Sequence, residues 1–236
     1  MNVPHKLLPF FLLSWTVTLT AQMRWYVDVS ATGVQNGMSW EDAFRDLQEA
    51  LDVAARGDEV WIAEGTYFPT TDNDRGRAFE MWGGIRLYGG FEGWETSPDQ
   101  RDWQEHPTIL SGEIGLPDDK LDNSFNLLRV YESDTATLID GLLFRDAYMG
   151  EGESDCYVEA EGECFCPRIN IDHSCGGALY VQTAPAYLGG GLKVQNCHFL
   201  ENAGVNGAGI NLSTFERSGN IDIINTTFES NTNTSF

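Results

Sequence analysis

Two stretches near the end of the chain carry one pattern. Residues 192–210 read LKVQNCHFLENAGVNGAGI, and residues 221–231 read IDIINTTFESN. Leu192 aligns with Ile221, Val194 with Ile223, Asn196 with Asn225, Phe199 with Phe228 and Asn202 with Asn231, each pair 29 residues apart. A fixed offset of roughly 20–50 residues marks an architecture in which one unit stacks on the next. Units made of strands would lie about 4.8 Å apart.

The repeated residue types fit that picture. Leu192/Val194 and Ile221/Ile223 alternate, so both members of each pair point inward. Phe199 and Phe228 would stack in the interior. Their parity differs from that of the preceding apolar pair, so a bend must fall at Asn196 and Asn225. Asparagine tolerates the left-handed backbone such a bend needs, and aligned asparagines can hydrogen-bond in a ladder. The glycines at 176–177, 189–191, 207 and 209 suit tight corners.

Upstream, short apolar runs are separated by Gly, Asp, Asn and Pro. They are centred on Val60–Ile62, Ile85–Leu87, Thr108–Leu110, Leu128–Val130 and Leu138–Phe144, spaced by roughly 20–25 residues in the first four. A β-sandwich would show turns about every 8–12 residues, and a βαβ sheet would show helices between strands. One helical pattern exists. Ser39 predicts an N-cap, Ala43, Phe44, Leu47, Ala50, Leu51 and Ala54 form one apolar stripe, and Gly57 predicts the stop. The expected fold is all-β: a right-handed, single-stranded parallel β-helix with an N-terminal capping α-helix. The helix would cover the open end that such a stack exposes.

The N-terminus reads as a secretory signal over residues 1–21, with Lys6, an apolar core at Leu7–Leu13 and small residues before the cut. The expected organisation is then an N-terminal strand and capping helix over 22–58 and the parallel β-helix over 59–236. The latter would be truncated at its C-terminus and interrupted by a Cys-rich loop at about 150–175. No later run is long and apolar enough to cross a membrane.

A net charge of −22, from 36 acidic and 14 basic residues, repels polyanions and argues against a nucleic-acid partner. Acidic clusters suggest calcium, at Asp72 and Asp74 or at Asp118 and Asp119, although neither matches an EF-hand loop. Cys156, Cys164, Cys166 and Cys175 lie close in sequence without zinc spacing. In an exported chain they predict two disulfides, with three pairings open. Cys197 is expected to be a small buried thiol.

Gly176-Gly177-Ala178-Leu179, Phe199-Leu-Glu-Asn202, Gly207-Ala-Gly-Ile210 and Phe228-Glu-Ser-Asn231 resemble the GGAI and FxxN repeats of bacterial polymorphic outer membrane proteins. Tyr26-Val27-Asp28, Gly37-Met38-Ser39-Trp40, Gly65-Thr66-Tyr67 and Tyr88-Gly89-Gly90-Phe91-Glu92-Gly93 resemble an N-terminal block of exported bacterial β-helix proteins. The resemblance implies a pectate-lyase-like β-helix, secreted or displayed at the cell surface in association with the outer membrane. It implies little about activity.

Two functions follow as expectations. The first is a non-catalytic adhesive or glycan-binding role toward an extracellular glycan or a host or cell-surface component. Trp82, Trp94, Trp103, Tyr148, Tyr157 and Tyr187 would stack on sugar rings. The alternative is a polysaccharide lyase or glycoside hydrolase acting on the side of the β-helix. Its bases would come from Arg129, Arg145, Lys193 or Arg217, none of which sits in a recognisable catalytic motif. His173 and His198 have no visible nucleophile partner.

Overall fold

The computed structural model describes residues 21–150, 157–158, 164–166, 171–172, 176–185, 189–204, 207–214 and 220–234. Residues 1–20 of the signal-like segment therefore lie outside the described residues.

Three parallel sheets form the body. The first, in order, is β1 (Arg24–Val27), β2 (Glu59–Ala63), β5 (Arg86–Phe91), β8 (Leu138–Asp140), β14 (Leu192–Gln195) and β18 (Ile221–Ile224). The second is β3 (Gly65–Tyr67), β6 (Thr108–Ser111), β9 (Leu142–Arg145), β15 (His198–Leu200) and β19 (Thr227–Glu229). The third is β4 (Phe79–Trp82), β7 (Leu128–Ser133), β13 (Leu179–Thr183) and β17 (Ile210–Thr214). From β2 onward the chain visits these sheets in fixed rotation, adding one strand to each per circuit. A fourth, two-stranded parallel sheet joins β16 (Ala203–Gly204) to β20 (Thr232–Asn233).

Register places like on like. Val60, Leu87, Ile139 and Val194 pair in succession along the first sheet, and all are buried. Leu110, Phe144 and Phe199 do the same on the second sheet, and Phe79, Leu128 and Leu179 on the third. These residues belong to a single apolar cluster enclosed by the three sheets. Each large side chain buried there contributes about 1.5–3 kcal/mol. The rings of Phe144 and Phe199 stack at 4.6 Å and 4°, and those of Phe199 and Phe228 at 4.9 Å and 7°.

Two corners repeat as well. Between the first and second sheets Gly141, Asn196 and Asn225 take positive φ of 76°, 53° and 47°. Asn196 donates to Asp140 at 2.7 Å, and Asn225 donates to Asn196 at 2.7 Å. Beyond the second sheet the left-handed residues are Asp146, Glu201 and Ser230, each one place before the residue that aligns with Asn202 or Asn231. Asn202 and Asn231 instead satisfy neighbouring backbone. Asn202 donates to the Phe144 carbonyl at 3.0 Å and to Asn231 at 2.9 Å, and Asn231 donates to the Phe199 carbonyl at 2.7 Å.

The helix is shorter than its apolar stripe. Helix α1 spans Leu47–Val53 and is capped by Asp46, whose side chain accepts from the Gln48 amide. The stretch from Ser39 to Phe44 does not join it, because its backbone is already committed. Phe44 donates to the Tyr26 carbonyl at 2.9 Å and accepts from Asp28 at 2.8 Å, bridging to β1. Ser39 holds a local turn by accepting from the Asp42 amide at 3.1 Å. Gly57 is left-handed at φ 97°, but its amide donates to the Gly84 carbonyl, one circuit further along the chain. Leu47, Ala50 and Leu51 complete the core over β1, β2 and β4.

Two further differences have physical causes. The regular upstream spacing does not step from circuit to circuit. Leu87, Leu110 and Val130 lie on the three sheets of one circuit, because long connections separate the strands. The 150–175 segment contributes a small antiparallel sheet of β10 (Tyr157–Val158), β11 (Cys164–Cys166) and β12 (Ile171–Asp172) between β9 and β13. Outside the first sheet, Trp61, Tyr88 and Phe91 form a second apolar cluster with Tyr26 and Trp40. The Arg24 guanidinium lies 3.7 Å above Trp61. Among the described residues no helix is long and apolar enough to cross a membrane.

Candidate functional site

The connection from β5 to β6, residues 92–107, folds over the corner between the first and second sheets. Arg101 clamps it there, donating to the Gly89 carbonyl at 2.9 Å and to the buried Asp140 carboxylate at 2.5 Å. Trp103 then lies against two backbone positions where no side chain fits. A Cβ on Gly90 would fall 2.5 Å from its Cα, and one on Gly141 would fall 3.2 Å from its Cβ.

The clamp creates a groove of about 370 Å³ along the corner. Trp103 and Gln104 line it from the loop, and Asn196, His198, Asn225 and Thr227 line it from later circuits. His198 Nε2 lies 3.5 Å from Glu229. The groove thus joins an indole, amides, an imidazole and a hydroxyl. That set can cover the apolar face of a neutral ring and hydrogen-bond its edge.

The same loop carries a second constellation. Glu95 is buried and accepts from the amides of Glu92, Gly93 and Trp94 at 2.7, 3.0 and 3.0 Å. Burial pushes its pKa up, but the surrounding backbone donors together bring it below the ordinary carboxylate value. This turn presents Trp94, 59% exposed, with its indole N–H on Glu92 at 2.7 Å. His106 bonds to Glu64 at 2.9 Å and faces Glu92 at 3.8 Å. The Glu64 hydrogen bond raises the imidazole pKa above its ordinary value. Sequence reading missed this trio, because Glu64 and His106 lie on consecutive circuits with no spacing signature.

The other aromatic candidates scatter. Trp82, 60% exposed, stands on the outer face of the third sheet. It packs against its register partner Tyr131 at 5.7 Å, and Glu80 and Arg129 occupy the neighbouring column. Tyr148 is half-buried and packs on Gly150. Tyr187 and the side chain of Tyr157 lie outside the described residues, as do Cys156, Cys175 and the side chains of Cys164 and Cys166. Cys197 is buried, and burial pushes its thiol up to about 12.

Three of the four carboxylates read as calcium ligands, all but Asp118, have local tasks. Asp72 accepts from Thr70 and from the Asp74 amide, Asp74 accepts from the Gly76 amide, and Asp119 accepts from the Leu121 amide. Among the described residues, no three His, Cys, Asp or Glu side chains come together as a ready-made metal site. In comparisons with family models, curated proteins and solved structures, nothing matches this chain.

Proposed function

We propose that the three sheets form a right-handed parallel β-helix of the pectate-lyase-like kind, and that the chain is an exported surface protein that binds glycans without cleaving them. The observation that carries the binding reading is the corner groove, where Trp103 meets Asn196, Asn225, His198 and Thr227 in a volume suited to one or two sugar rings. None of these residues is a carboxylate, so the favoured ligand is a neutral glycan. A strongly acidic protein repels uronic polymers, which points the same way. Export and display rest on the signal-like N-terminus and on the likeness to polymorphic outer membrane protein repeats.

Affinity electrophoresis against neutral and uronic polysaccharides tests this reading. The expected result is retardation by a neutral polysaccharide, lost in T227A and H198A variants that keep the wild-type circular dichroism. Retardation unchanged in both variants would contradict the groove. Release of oligosaccharides during the same incubation would contradict the non-catalytic reading. The second reading, a glycoside hydrolase, is favoured by one observation, the Glu64–His106–Glu92 trio beside exposed Trp94. It requires product formation that E64Q abolishes.

A further inference from the structure

The fixed body of the chain begins at Met23. Its amide donates to the Asp58 carboxylate at 2.8 Å, and its carbonyl accepts from the Glu59 amide at 2.9 Å. Asp58 is buried and also accepts from the Trp25 indole at 3.2 Å and from the Ala55 amide at 2.9 Å, so this anchor belongs to the core of the first circuit. From Arg24 on, β1 is paired with β2. Gln22, one residue earlier, is exposed. Among the described residues, neither its backbone nitrogen nor its side-chain amide makes a hydrogen bond.

That boundary coincides with the end of the signal-like segment. Hydrolysis of the bond after Ala21 would turn the Gln22 nitrogen into a free amine. Ala21 and Gln22 line a cavity of about 510 Å³ whose charged residues are Arg56, Asp58, Arg86 and Lys193. Arg56 pairs with Asp134 and Arg86 with Glu59, whereas Lys193 has no ion pair among the described residues. Asp58 is the one carboxylate on the cavity, and both of its oxygens already accept. A neighbouring cation disfavours a second positive charge, so the surroundings favour the neutral amine, which is the nucleophilic form.

We propose, resting on the export reading and its cut after Ala21, that Gln22 is a modification site that closes to an N-terminal pyroglutamate. The new amine attacks the carbonyl carbon of its own side-chain amide. A carbon–nitrogen bond forms, the bond from that carbon to the side-chain nitrogen breaks, and ammonia leaves with one proton from the amine. The product is a five-membered lactam, and no oxidant or reductant takes part. Both reacting groups lie within one residue, so no encounter has to be arranged. Neither is held by the fold, and the anchor at Met23 leaves them clear of β1. The closed ring removes the terminal charge beside Lys193 and leaves no amine for an aminopeptidase.

Mass spectrometry of the N-terminal peptide tests the assignment. The full chain, expressed with residues 1–21 and recovered after export, is incubated at neutral pH beside a free peptide of residues 22–25. The expected product begins at residue 22 and is lighter than its open form by one ammonia, with closure at least as fast as in the free peptide. Pyroglutamyl aminopeptidase should then remove the blocked residue from the isolated N-terminal peptide. The Q22A variant should show no such loss of mass, and a loss retained there would overturn the proposal. An open Gln22 that persists after the free peptide has closed would overturn it while leaving export intact. A chain that keeps residues 1–21, or is cut elsewhere, would overturn the export reading and the lactam together.

Discussion

At the residue scale, the chain repeatedly uses one polar side chain to hold several backbone groups. Glu95 is the clearest case: three consecutive amides converge on a carboxylate that is 2% exposed, and the turn they form carries Trp94. Hydrogen bonds to a buried charge are worth about 1.5–3 kcal/mol, so E95Q should lower the free energy of unfolding by about 2 kcal/mol at neutral pH. The folded pKa lies below the ordinary 4.5. The contribution of Glu95 is therefore complete above that value and disappears as pH falls through the depressed one. Denaturant melts from pH 7 to pH 3 should show the variant and wild type converging at the acid end. Such residues are hard to read in sequence. Glu95 is one of 36 acids, and nothing in its neighbours announces three donors. Trp61 was equally hidden: in a strand of alternating parity it points away from the core, yet it is fully buried beneath Trp40 and Phe91.

At the scale of the element, the corners decide the geometry. Asn196 combines two functions, a left-handed backbone at φ 53° and a ladder linking Asp140 below to Asn225 above. The two can be separated. Asn196→Gly keeps the backbone and loses the ladder, costing about 1–2 kcal/mol for its two hydrogen bonds. Asn196→Ala also meets the left-handed penalty of about 1–2 kcal/mol, so it should be the less stable of the two in urea melts. Equal stability would show that the ladder alone matters. This corner was legible in sequence because two aligned asparagines interrupt a parity change. Helix α1 was legible only in its second half. Its apolar stripe continues through Ala43 and Phe44, but Phe44 serves β1 with its backbone while its side chain still faces the core. A stripe records which side chains are buried, not which hydrogen bonds their backbone makes.

At the scale of the whole molecule, stacking of like residues is what unites the sheets. Phe199 sits between Phe144 and Phe228 and is fully buried, whereas Phe228 is 48% exposed at the last described circuit. Phe199→Ala should cost about 3–5 kcal/mol, and Phe228→Ala clearly less, in chemical denaturation. A similar cost at both sites would mean that Phe228 is covered in solution. The two terminal copies revealed this architecture because no insertion separates them. Earlier circuits hid it: the 92–107 loop and the 150–175 insertion stretch the period, and the groove that the 92–107 loop builds was invisible for the same reason. Trp103 was legible as an aromatic, but its neighbours His198 and Thr227 come from circuits far along the chain.

The order of the strands is tested most directly by interstrand nuclear Overhauser contacts in the isotopically labelled chain. Parallel stacking predicts contacts between the backbones of Leu192 and Ile221, Gln195 and Ile224, Phe199 and Phe228, and Ala203 and Thr232, all with one offset of 29. Contacts whose residue numbers instead keep a constant sum, as in an antiparallel hairpin, would contradict it.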